Sequence, residues 1–196
     1  MRSPEVSPDG EYVAFLADQR LKVVALGGGS VRTLADGATC CPTWGPDGFI
    51  YYLPLGSGAI HRVSFQEGGT SQVVTQLGEG ERHRNFQVLP DGEIAVFEVI
   101  ESGSVRIEAM RMATGERRIL VPGFSPKVTP HGHLVFTSPD RQILAARFDA
   151  QSMELLGAPV PIVEEPSSIL NLSRGGSLLY LTGGDRRWEF VWRTRS

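Results

Sequence analysis

The chain has 196 residues, of which 41% are hydrophobic and 21% are charged, and its formal net charge is −3. This composition is that of an ordinary globular protein, and the small acidic excess offers no basic surface for nucleic acid. No apolar run approaches the roughly 18 residues of a membrane-spanning helix, so the sequence predicts no membrane insertion by this chain. The opening segment Met1–Glu5 is not followed by the apolar stretch of a signal peptide.

A tight-turn motif recurs along the chain at intervals of about 40 residues, a spacing found in propeller blades and also in armadillo-type helical repeats. The three complete copies are Pro8-Asp9-Gly10, Pro46-Asp47-Gly48 and Pro90-Asp91-Gly92, and degenerate copies follow at residues 129–132 and 173–176. Proline presets φ, aspartate bonds to its own backbone and glycine takes the positive φ. We therefore assign these residues a structural role as turns.

Short runs rich in aromatic and β-branched residues follow the turns in chain order, at residues 11–16, 49–53, 93–97, 133–136 and 177–181. In each of the first four repeats a second pair of such runs comes next, such as Leu21–Leu26 and Val31–Leu34 in the first repeat. Runs of this length bounded by glycine and proline indicate strands, and no window shows the 3.6-residue apolar period of a helix. Each repeat is therefore predicted to hold four strands, called a to d from the inside outward.

These repeats predict an all-β fold, a β-propeller of four-stranded antiparallel blades with about five blades present. We expect a single domain over residues 1–196, with blades at about 4–38, 39–80, 81–123 and 124–165 and a partial blade at 166–196. Residues 188–193 are the predicted strand c of the last blade, and no strand d follows. An incomplete blade predicts an open or partial ring, whose unpaired edge could support self-association.

The repeats resemble the TolB-type, WD40-like β-propeller repeats of bacteria (PD40). Ser7-Pro8-Asp9-Gly10 with Tyr12 and Phe15 carries this resemblance, as does the turn after Trp44. Residues 113–118 and 131–136 are similar to the propeller that follows the kinase domain in some bacterial serine/threonine protein kinases, although no kinase motif is present. The resemblance implies a protein-interaction or ligand-sensing module of a larger bacterial protein. It would be periplasmic or extracytoplasmic if attached to an upstream membrane span, and otherwise cytoplasmic.

The b-to-c and d-to-a loops of a propeller lie on one face, where an unknown protein or small ligand is expected to bind. The d-to-a loops are predicted at residues 39–42, 79–84, 124–125 and 164–165. The candidate binding residues in the two sets of loops are Arg20, Arg82, His83, Arg84 and Arg141. Arginine suits this role because its guanidinium pairs with carboxylate or phosphate through two hydrogen bonds. A solvated loop without function is the alternative explanation for the same residues.

The sequence predicts no catalytic residues. The turn aspartates lie on the opposite face, the expected innermost segments contain one acid, Glu5, and glycosidases need a pair of carboxyl groups. No Gly-x-Ser-x-Gly nucleophile elbow is present. A non-enzymatic module is thus favoured. A glycosidase-like propeller enzyme and the accessory propeller of a prolyl-oligopeptidase-like peptidase remain alternatives.

No metal or cofactor is predicted, because His131 and His133 have no further ligands at a recognisable spacing. The two cysteines, Cys40 and Cys41, are adjacent, and a disulfide between neighbours departs from the usual disulfide geometry. They could form a thiol site. Alternation along an extended chain sends neighbouring side chains to opposite faces, so ordinary packing is the favoured interpretation.

Overall fold

The computed structural model describes residues 2–163, 167–173 and 177–182, which form eighteen strands in five sheets. The first blade contains β1 Arg2–Val6, β2 Tyr12–Ala17, β3 Arg20–Ala25 and β4 Arg32–Asp36. The second contains β5 Ala38–Trp44, β6 Phe49–Pro54, β7 His61–Ser64 and β8 Gln72–Val73. The third contains β9 Glu81–Val88, β10 Ile94–Glu101, β11 Ser104–Arg111 and β12 Arg117–Pro122.

The fourth blade contains β13 Phe124–Val128, β14 His133–Thr137, β15 Ile143–Asp149 and β16 Glu154–Pro161, and the fifth begins with β17 Ser167–Leu172 and β18 Leu178–Thr182. The strands of each sheet pair antiparallel in chain order, so the predicted all-β fold of four-stranded blades is confirmed. The strand predicted at residues 188–193 lies outside the described residues. None of the residues in the described ranges belongs to a helix that could cross a lipid bilayer.

The Pro-Asp-Gly turns join the first and second strands of a blade through side-chain bonds to the backbone. Oδ1 of Asp9 accepts the Glu11 N–H at 2.9 Å, and Oδ1 of Asp91 accepts the Glu93 N–H at the same distance. The glycine that follows each aspartate has φ of 77–78°, which costs a residue without Cβ little. These local bonds explain why the same turn recurs at the same place in successive blades.

Apolar layers lie between the faces of successive blades, because a sheet of four strands buries both faces only against its neighbours. Leu21 and Ile50 pack between the first two blades, and the third and fourth blades bury Phe136 in the layer they share. Between the second and third blades, Tyr51 and Phe97 belong to one cluster. The hydrophobic core is thus a series of layers rather than one centre.

Polar bonds connect the innermost strands of different blades. Nε1 of Trp44 donates to the Glu5 carbonyl at 3.0 Å and links the second blade to the first. Asn171 in the fifth blade donates to the Glu5 carboxylate, and Lys127 in the fourth blade faces the same group. Burial raises the pKa of Glu5 in spite of these two partners. The innermost strands of the first, fourth and fifth blades therefore converge on one polar group.

A side-chain clasp holds the third and fourth blades together. Oε1 of Gln87 accepts the Val128 N–H at 2.9 Å, and Nε2 of Gln87 donates to the Val128 carbonyl at 3.3 Å. Gln87→Ala should lower the free energy of unfolding by about 1–3 kcal/mol, because it leaves both backbone groups of Val128 unpaired. Urea denaturation measures this loss. Gln142→Ala, at an exposed position, is the control, and an equal effect of both changes would contradict the clasp.

Candidate functional site

The innermost strands of the second, third and fourth blades share a bulge. Cys41, Asn85 and Ser125 have φ of 61°, 50° and 50°, and the pairing register of β5, β9 and β13 shifts at these places. Each of the three residues stands three positions before the last residue of its strand. A bulge bends the strand and re-aims side chains, so three successive blades turn equivalent positions toward one place.

An open cavity of about 610 Å³ lies at these bulges. Its lining comes from the second, third and fourth blades, and consists of Cys40, Cys41, Arg84, Asn85, Glu98, Phe124, Ser125, Thr137, Pro139 and Arg141. Two of these residues are cations and one is an anion. The lining therefore has one positive charge in excess, in a chain whose formal net charge is −3.

Glu98 on β10 is fully buried and forms the base of the cavity. Its carboxylate accepts hydrogen bonds from Nε of Arg84, Nδ2 of Asn85 and the backbone N–H of Ser125. A buried carboxylate is tolerated only when it is paired and bonded in this way. The chain therefore builds a carboxylate-binding arrangement and fills it with its own side chain.

Two arginines present their guanidinium groups to the cavity. Arg84 bonds to Glu98 through Nε, which leaves its two terminal nitrogens for a ligand. Arg141 lies in the turn between β14 and β15, with φ of 63° and its N–H bonded to the Ser138 carbonyl at 2.9 Å. Its side chain is exposed and forms no ion pair with any carboxylate of the described residues. Both arginines thus line one cavity, and the guanidinium group is the side chain that pairs best with carboxylate and phosphate.

The prediction that Arg82, His83 and Arg84 lie in a d-to-a loop is wrong, because all three belong to β9. Only Arg84 lines the cavity. Arg82 is exposed outside it, and His83 is fully buried with its ring 4.9 Å from that of Phe97. The run looked like a loop in the sequence because its three residues are polar, although only Arg84 faces the cavity and His83 is buried. Residues 39–42 and 124–125, also expected in d-to-a loops, likewise belong to the strands β5 and β13.

Burial lowers the pKa of His83, and its hydrogen bond with Glu81 only partly offsets this effect. Nε2 of His83 is 3.2 Å from Oε2 of Glu81, while Nδ1 is buried and has no hydrogen-bond partner in the part of the chain that the structure describes. The ring is thus a neutral packing group between the second and third blades. It is not a binding residue of the cavity.

Arg20 is the fifth candidate, and the structure places it in the first blade. Its Nε forms an exposed ion pair with Asp36 at 2.7 Å, and it does not line the cavity. The structure thus brings together two of the five candidates, Arg84 and Arg141. The structure adds Asn85, Glu98 and Ser125 to the site. Of these, Glu98 could have been found from the sequence, because it is a charged residue inside the apolar run Ile94–Ile100.

The innermost strands contain a second acid besides the expected Glu5, because β9 begins at Glu81 and is longer than predicted. Glu81 does not face an open site, since it binds Nη2 of Arg106 at 2.6 Å and Nη1 of Arg117 at 2.9 Å. Glu108 binds Nε of the same two arginines at 2.6 and 2.7 Å. This ion network ties the outer strands β11 and β12 to the start of β9.

Asp47 has contacts beyond its turn. Its Oδ2 accepts the Tyr51 hydroxyl at 2.7 Å and lies 3.2 Å from Nη1 of Arg62. Burial, followed by the hydrogen bond to Asp47, raises the pKa of Tyr51. Within the described ranges, no group of three or more His, Cys, Asp or Glu side chains is arranged to hold a metal ion.

The antiparallel four-stranded blades and their converging innermost strands define the class of this protein, which is a β-propeller. The chain belongs to the family described as the lipoprotein LpqB β-propeller domain, whose model matches residues 1–123. No curated protein matches the chain. The similarity to TolB is supported at the level of the fold, whereas the PD40 repeat type and the kinase-linked propeller remain predictions.

Several solved structures are similar to the chain. TolB from Acinetobacter baumannii is 20% identical, with a TM-score of 0.65 over 80% of this chain and 42% of TolB. Puromycin hydrolase is 18% identical, with a TM-score of 0.62 over 90% of this chain and 32% of the hydrolase. Oligogalacturonate lyase from Vibrio parahaemolyticus is 14% identical, with a TM-score of 0.63 over 84% of this chain and 52% of the lyase. The chain thus spans 32–52% of the length of these three proteins.

Proposed function

We propose that this chain is a non-catalytic ligand-sensing or protein-interaction module that works within a larger bacterial protein. Its cavity binds a carboxylate or phosphate group through Arg84 and Arg141. The observation that carries the proposal is the pair of guanidinium groups on one cavity, with the sole acid of that cavity, Glu98, already bonded to three donors. Arginine forms its strongest contacts with such anions.

The same arrangement argues against a carboxylate-based enzyme at this cavity. Glycoside hydrolysis requires two carboxyl groups, one on each side of the scissile bond, and Glu98 is the only acid of the described lining. Its oxygens accept bonds from the protein rather than facing a substrate. The similar structures include a hydrolase and a lyase as well as TolB, so the fold alone is compatible with either class. Turnover of nitrophenyl glycosides or peptide amides that disappears in Glu98→Gln would overturn the non-catalytic part of the proposal.

Anion binding at the cavity is tested with citrate and inorganic phosphate as probes in isothermal titration calorimetry. Arg141→Glu should raise the Kd for citrate by about 10- to 100-fold, because a charge-assisted hydrogen bond is lost and a charge of the same sign as the ligand is introduced. Since the Arg141 side chain is exposed and unpaired within the described residues, the fold should tolerate this change.

Arg20→Glu is the matched control, because it makes the same charge change on the same loop face in another blade. It should alter the Kd by less than about twofold, the effect of a screened exposed charge. An equal loss in both variants would point to overall charge rather than to a site. A wild-type chain that binds neither citrate nor phosphate would contradict the proposed anion site.

A further inference from the structure

Both cysteines of the chain lie on the wall of the anion cavity. Cys40 and Cys41 are half-buried, and their sulfur atoms lie side by side. The bulge at Cys41 brings this pair to the level of Asn85 and Ser125 in the next two blades. Both cysteines line the same space as Arg84 and Arg141, so alternation along the strand does not send them to opposite faces here, whereas ordinary packing of the pair stays a prediction.

This placement has a chemical consequence. Accessible disulfides react with thiolates, and the reaction is faster when the departing sulfur is stabilised as an anion. Neighbouring arginines stabilise thiolates, and Arg84 and Arg141 line the same cavity as both cysteines. They also attract an incoming molecule that carries carboxylates.

We propose that Cys40 and Cys41 form a thiol–disulfide exchange site that selects small thiols bearing carboxylate groups. The selectivity rests on the proposed anion binding by Arg84 and Arg141, whereas the exchange itself depends on the cysteine pair. The site is thus a place of covalent modification by an acidic low-molecular-weight thiol.

The exchange starts from the Cys40–Cys41 disulfide, which a low-molecular-weight disulfide forms by accepting the two electrons of the cysteine pair and leaving as two thiols. From that point the reaction needs no further oxidant or reductant. The thiolate of the small molecule attacks one cysteine sulfur, the new sulfur–sulfur bond forms, and the Cys40–Cys41 bond breaks. Its electron pair leaves on the sulfur of the other cysteine, which takes up a proton from water. A second thiol can then attack the mixed disulfide, which releases the oxidised small molecule and leaves two protein thiols.

The test compares three thiols on the full chain: glutathione with two carboxylates, its diethyl ester with none, and cationic cysteamine. The chain is first oxidised, and loss of free thiols is checked with Ellman's reagent. Acid-quenched samples are then followed by intact mass spectrometry. The rate of each thiol with the chain is divided by its rate with cystine. After this normalisation, we expect glutathione to form the mixed disulfide about tenfold faster than its diester. This ratio corresponds to about 1.4 kcal/mol of favourable charge interaction.

Arg141→Gln should bring the ratio of glutathione to diester close to one, whereas Arg20→Gln should leave it unchanged. S-methylglutathione, which has the carboxylates but no thiol, reports anion binding separately by calorimetry. The double variant Cys40→Ala/Cys41→Ala should bind S-methylglutathione and should form no adduct with glutathione.

Each remaining outcome has one meaning. Equal rates for glutathione and the diester overturn the selectivity, and failure to form the disulfide or any adduct overturns the exchange site. If S-methylglutathione binds in those cases, the proposed function stands. If it does not bind, and citrate and phosphate also do not, the anion site falls together with the inference.

Discussion

Glu98→Ala is expected to lower the free energy of unfolding by about 2–4 kcal/mol, which is a large part of the stability of a typical domain. The substitution leaves the Arg84 guanidinium, the Asn85 amide and the Ser125 N–H without their shared acceptor. It also leaves a space beneath the cavity, because the Glu98 side chain is fully buried. Urea denaturation at neutral pH measures the change in unfolding free energy.

Glu93→Ala is the matched control for this experiment, since Glu93 is exposed near the start of the same strand. Its effect should stay within about 0.5 kcal/mol. The loss of unfolding free energy in Glu98→Gln should lie between those of the two alanine variants. The amide oxygen of the glutamine still accepts a hydrogen bond, whereas its NH₂ group faces other donors and accepts none. A loss in Glu98→Ala no greater than that in Glu93→Ala would show that the three bonds do not stabilise the join between the third and fourth blades.

The parts of this fold that the sequence predicted are those with a local cause. The turn at Asp9 closes through a bond to the N–H of Glu11, two residues away, and its Pro-Asp-Gly sequence is visible without knowledge of the rest of the chain. The strand Ile94–Glu101 is likewise evident from its β-branched and aromatic residues. Repetition of such local signals at a regular spacing was sufficient to predict the propeller.

The candidate site was only half predicted, because its geometry depends on bulges that have no sequence signature. Cys41, Asn85 and Ser125 adopt positive φ without being glycine, and their strands were predicted too short in consequence. Arg82, His83 and Arg84 illustrate the result. Alternation along β9 sends His83 into a buried layer, on the opposite face from Arg82 and Arg84. Of the two residues on that other face, Arg82 is exposed and Arg84 lines the cavity.

Glu81 also departs from the sequence-based expectation, and its environment makes the stability of the protein depend on pH. Its hydrogen bond with Arg117 is the largest cause that lowers its pKa from 4.5 to about 2, with smaller contributions from the Gly78 N–H and His83. Arg106 contacts the same carboxylate, and Glu108 and Glu101 share these arginines. The folded state thus holds Glu81 ionised more strongly than the unfolded state does.

Glu81→Gln should therefore cost up to about 3 kcal/mol of unfolding free energy at pH 7, the equivalent of this pKa difference. A lowered pKa in the folded state contributes stability above the unfolded pKa, and this stability is lost as pH falls through the folded value. The difference between wild type and Glu81→Gln should thus be constant above about pH 5 and shrink from about pH 4.5 toward pH 2. Urea midpoints across this range measure it, with the carboxylates outside this ion network cancelling in the subtraction.

Glu101→Gln separates the network from a surface effect, because Glu101 is 43% exposed and binds Arg106 alone in the described part of the structure. Its cost should be below about 1 kcal/mol, as for a partly solvated pair. A difference between wild type and Glu81→Gln that stays constant down to pH 2 would mean that Glu81 has an ordinary pKa. Arg106 and Arg117 would then be held mainly by Glu108, which joins β11 to β12 rather than either of these strands to β9.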